Sequence, residues 1–163
     1  MVTEDELDLD GLEARSAQPT ATLLEELFAF NPFPKSDAAG ILRHGIGRPI
    51  EKRPMPKEVA DLALAHDVRT TQVVLRRRIF ELMARHPDFE PRLPYLYALA
   101  DIMGPEKMKE WSKFWTLLNS RDLEGASAEL FVANWDRLLG TNEAVRRAVF
   151  RIINRLQNGA PVQ

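Results

Sequence analysis

The chain contains no cysteine, which removes disulfides, thiol nucleophiles and thiolate metal sites from consideration. Folding therefore cannot depend on the redox compartment. No run of about 18 apolar residues is present to cross a bilayer, and the acidic start lacks the basic-then-apolar order of a signal peptide. Neither a membrane span nor a signal peptide is expected. Histidine is scarce, and His44, His66 and His86 fall far apart with no partner at ligand spacing, so no metal site is expected. Gly45-Ile-Gly47 lacks the third glycine of a dinucleotide fingerprint, and neither a phosphate loop nor Gly-x-Ser-x-Gly occurs, so no cofactor is expected. A basic excess is also missing. The net charge of -2 argues against a surface that tracks nucleic acid.

What is present suits one globular domain: 163 residues, 45% hydrophobic and 28% charged. The chain opens with Glu4, Asp5, Glu6, Asp8, Asp10 and Glu13 before its first base, Arg15. Such a run reads as a solvated, flexible acidic leader over residues 1–19. Thr22-Leu-Leu-Glu25 then has the pattern of a capping box, with Leu23, Leu24, Leu27 and Phe28 following on one helical face. These predict a short helix over 22–30. Pro32 and Pro34 cannot continue it, and the glycines and prolines from Asp37 to Met55 predict turns and one short hairpin.

Pro56 suits the first turn of a helix. Beyond it Val59, Leu62, Ala63, Val73, Val74, Ile79, Phe80, Leu82 and Met83 recur with helical period as far as His86-Pro87. A helix of about 30 residues follows, far longer than usual and of the kind that bridges two lobes. Further helices are predicted near 93–103, 105–119, 123–134 and 141–157, the last stopped at Gly159. Trp111, Trp115, Trp135, Phe114, Phe131 and Phe150 fall at helical spacing in this half and predict a core rather than a stacking platform. Residues 58–73 can also be fitted to a helix-turn-helix for DNA, with Arg76, Arg77 and Arg78 at its end, but no turn residue marks the bend.

Taken in order, these pieces resemble the phage-type lysozymes, the muramidase family that includes the T-even phage endolysin. That family's hairpin reads Asp-x-x-Gly-x-x-Thr-Ile-Gly-x-Gly-His. Here Asp37-Ala-Ala-Gly40-Ile-Leu-Arg43-His44-Gly45-Ile46-Gly47-Arg48 matches the aspartate and all three glycines in register. The stretch from Met55 to Asp67-Val68 is similar to a helix of the family, and Met103-Gly104 followed by Trp111 to the start of its second lobe. Leu123-Glu-Gly-Ala-Ser127, Asn134-Trp135, Arg146-Arg147 and Gly159 continue the order, so the resemblance covers about residues 22–160.

The resemblance implies an α+β, mainly α, two-lobed domain over 20–160: an N-terminal hairpin lobe at 20–58, a bridging helix at 59–86 and a helical C-terminal lobe at 87–160. It also implies cleavage of the β-1,4 bond of peptidoglycan glycan by two carboxylates, one kept protonated as acid and one ionised. Asp37 falls on the family's aspartate. The acid position, counted back from it, falls on Phe28, and Glu26 becomes the acid if the Pro32-Phe-Pro34 segment lengthens the loop. Arg43 stands where the family has threonine, Arg48 where it has histidine, and Ile102 where it has a substrate-contacting amide. Two outcomes stay open: muramidase activity retained through Glu26 and Asp37, or a lysozyme fold without catalysis whose cleft binds glycan or a protein partner. In either case the protein would be made in the cytoplasm, and delivery to the cell wall would need a holin, a secretion system or a virion.

Overall fold

The computed structural model describes residues 8–27, 31–36, 40, 42–46, 48–49, 56–133, 135 and 143–159. The fold is mainly helical. Helix α1 spans Leu9–Leu27, so the described part of the expected leader, 8–19, is helix instead. Asp8 caps it, its Oδ1 accepting the Gly11 amide at 2.8 Å. The buried side chains are Leu9, Leu12, Glu13, Ser16, Thr20, Leu23, Leu24 and Leu27. Ser16 and Thr20 interrupt this stripe chemically and hide its period from a hydropathy reading. Both are satisfied inside: Ser16 Oγ donates to the Leu12 carbonyl at 2.9 Å and Thr20 Oγ1 to that of Pro94 at 3.3 Å. The proposed capping box is not one, because Thr22 Oγ1 donates back to the Gln18 carbonyl in mid-helix at 3.1 Å.

Strands β1 (Asn31–Ser36), β2 (Leu42–Gly45) and β3 (Arg48–Pro49) form a small antiparallel sheet in the order β1-β2-β3. Lys35 pairs with Arg43 and Asn31 with Gly45, with an irregular register between them. Pro32 and Pro34 occupy that interval and have no amide to give, which confines the segment to a sheet edge. Gly40 and Gly45 adopt φ of 77° and 61°, the left-handed region that their type allows at little cost. Ile46 is buried and joins the core.

Helix α2 runs without interruption over Lys57–Met83. The bend that a helix-turn-helix would need is therefore absent. A short 3-10 helix (Pro87–Arg92) leads into α3 (Leu93–Met103), and Leu93 through Ala100 are all buried. A helix buried on every side over most of its length belongs at the centre of a core, and α3 contacts α1, α2, α4 (Pro105–Glu110) and α7 (Glu143–Asn158). Gly104, at φ 98°, ends α3. Helices α5 (Ser112–Asn119) and α6 (Leu123–Phe131) follow, the latter capped by Asp122, which accepts the Gly125 amide at 2.8 Å. Trp115 and Trp135 are core residues whose indole N–H groups donate to the carbonyls of Met108 and Leu130 at 2.8 and 2.7 Å. The buried side chains from Leu9 to Leu156 form one continuous apolar cluster.

Candidate functional site

Polar side chains cross this apolar core along one line, where α3 meets α2 and α1. On α3, Tyr97 and Asp101 stand one helical turn apart and so share a face. Asp101 accepts a hydrogen bond from Thr71 Oγ1 of α2 at 3.0 Å. Burial nevertheless pushes its carboxyl up to about 6, against the lowering effect of that bond, and the nearby Asp67 adds to the rise. Asp101 thus keeps a proton at pH values where other carboxylic acids have lost theirs.

At the other end, Gln72 Nε2 donates to the Glu13 carbonyl at 2.5 Å and to Ser16 Oγ at 3.1 Å, tying α2 to α1. The Glu13 side chain is 11% exposed, with Oε1 3.6 Å from Arg76 Nη1. Burial raises its pKa most; Arg76 and Arg69 oppose the rise and Asp10 adds to it. Arg76 also pairs with Asp10 at 2.9 Å. The acidic residues at the start of α1 therefore serve as counter-charges to α2. Tyr97 OH and Glu13 Oε1 are buried without a hydrogen-bond partner, and burial holds the tyrosine hydroxyl well above its ordinary pKa. The seam offers a proton-holding carboxyl at one end and unused polar atoms at the other.

Of the residues singled out in the sequence, the described ones, Glu26, Arg43 and Ile102, are not part of this seam. Glu26 lies in the last turns of α1, 51% exposed, with Oε2 3.9 Å from Arg155 Nη1 of α7. Tyr95, fully buried on α3, feels both charges. This arrangement suits an ion pair rather than a proton donor. Arg43 sits in β2 opposite Lys35 and Pro49 and is partly buried. Ile102 follows Asp101 in the last turn of α3, partly buried and packed on the core. Asp37 and Phe28 lie outside the described residues, as does the side chain of Arg48. Among the described residues no group of three histidines, aspartates or glutamates converges as a metal site would require, and no helix is long and apolar enough to cross a membrane. Asp101, Thr71 and Glu13 were not among the sequence candidates. The available signal was a lone carboxylate in the apolar run Leu93 to Met103. Compared with known proteins, the chain matches no family model and no curated protein.

Proposed function

We propose that this chain is a protein of phage-lysozyme type, with its N-terminal lobe at the small sheet, that engages the glycan of peptidoglycan without cleaving it. The observation that carries the loss of cleavage is the Glu26–Arg155 pair. A retaining or inverting glycosidase needs one carboxyl that holds a proton beside the leaving oxygen, and Glu26 is half-exposed against a guanidinium. The lysozyme-type reading is supported by the order of elements: a small glycine-marked sheet, a long helix, a buried helix ending at Met103-Gly104, and a helix closed at Gly159. Arg43 and Arg48 near Asp37 in sequence replace neutral or titratable positions of the family by permanent cations, which suit the carboxylates of peptidoglycan stem peptides.

The test uses purified peptidoglycan sacculi. Retention of the protein on sacculi, without release of reducing ends and with retention weakened by Arg43→Glu, is the expected result. A protein that neither sediments with sacculi nor clears them sinks the reading.

A second reading, retained muramidase activity, has one observation in its favour: burial raises the Asp101 carboxyl to about 6, so that it holds its proton in mildly acidic conditions where ordinary carboxylates have lost theirs. If sacculi are cleared, Asp101→Asn and Glu26→Gln identify the acid by which of them abolishes clearing.

A further inference from the structure

Helix α2 carries a second surface that the core does not use. Val59, Leu62 and Val73 are 47%, 73% and 59% exposed, and they account for three of the four large apolar side chains left exposed among the described residues. At about 100° per residue they fall on one stripe with the exposed His66, Thr70 and Arg77. That stripe is opposite the buried face formed by Ala60, Leu64, Val68, Leu75 and Ile79. No described residue covers it.

Charge is distributed unevenly along the same helix. Before His66 it holds Glu58 and Asp61 against Lys57, and beyond His66 Arg69, Arg76, Arg77 and Arg78 against Asp67 and Glu81. We propose that this face is a self-association surface, on which two copies of the chain pair through antiparallel α2 helices about a two-fold axis at His66. Antiparallel pairing sets Val59 of each copy against Val73 of the other and Leu62 against Thr70. It also brings Glu58 of one copy within a turn of the exposed Arg77 of the other, so that the acidic end meets the basic end. A parallel pair would stack the arginines of the two copies on each other, a like-charge cost that decides the direction.

From Val59 to Val73 the stripe is about 21 Å long. Two helices meeting over that length bury less than the about 1,200 Å² of a standard interface, so the dimer is weak and exchanges quickly, with a dissociation constant of about 100 µM.

Sedimentation velocity from about 10 µM to about 1 mM should show a monomer passing to a dimer around that constant. Leu62→Glu should weaken the dimer at least about tenfold while leaving the circular dichroism and melting temperature unchanged, because the side chain lies outside the core. Direction is tested in the cysteine-free background. His66→Cys should form disulfide-linked dimers under mild oxidation, and Val59→Cys should cross-link to Val73→Cys in a mixture faster than to itself. A monomer at every concentration overturns the proposal. So does a dimer unaffected by Leu62→Glu, or one in which Val59→Cys links preferentially to itself.

Discussion

Glu13 and Glu26 are carried by the same helix, and the protein meets them in opposite ways. Glu13 faces inward between α2 and α3, desolvated, with its nearest guanidinium at 3.6 Å and its Oε1 otherwise unpartnered. Glu26 faces the rim, half in water, with Arg155 at 3.9 Å. The difference shows that proximity of a cation does not rank two carboxylates; the amount of water removed does. An ion pair in solvent is worth little. A charge inside the core is costly to leave uncompensated, and Asp101, further along the same seam, remains protonated to higher pH instead.

The comparison can be sharpened by substitution. The largest effect should come from Asp101→Asn. With the folded carboxyl raised to about 6, the native state holds a proton that the unfolded chain has released, so stability from this group is fully present below about pH 4 and lost as pH rises through about 6. Asparagine keeps the Thr71 acceptor and removes the buried charge. The variant should gain up to about 3 kcal/mol over wild type in urea unfolding at pH 7.5 and show no gain at pH 4. Equal gains at both pH values would break the account of the seam.

Next in size is Arg76→Ala, which strips the counter-charge from Glu13 and Asp10. It should cost about 2 kcal/mol, and Glu13→Gln in the same chain should recover part of that. Tyr97→Phe removes a buried hydroxyl that has no partner and should stabilise by about 1 kcal/mol; a loss of stability instead would mean that the hydroxyl has a bridging partner. The smallest effect is expected at the rim. Glu26→Gln should shift stability by less than about 0.5 kcal/mol, and a cost above that of Arg76→Ala would reverse the ranking of the two sites.

Much of the helical half was legible because its signals are local. Gly104 and Gly159 stop helices at positive φ, Pro105 opens α4, and the apolar run from Leu93 announces a helix buried on all sides. The first helix was misread because its interior positions Ser16 and Thr20 are polar in type and find their partners inside the fold, among them the distant Pro94 carbonyl and the Gln72 side chain. Likewise the acidic start looked solvated, since its partner Arg76 lies 66 residues away from Asp10 in sequence. The seam was hidden for the same reason. Hydropathy marks Asp101 as an anomaly, but only the packing of α2 on α3 supplies Thr71 and removes the water.

The burial of α3 has a consequence for how the molecule opens. Its amides reach solvent only when the helices around it separate, because Leu93 through Ala100 have no exposed face. In native-state hydrogen exchange the α3 amides should be the last to take up deuterium, at a rate set by global unfolding. They would then provide a direct readout of total stability, against which each substitution in the seam can be measured without denaturant.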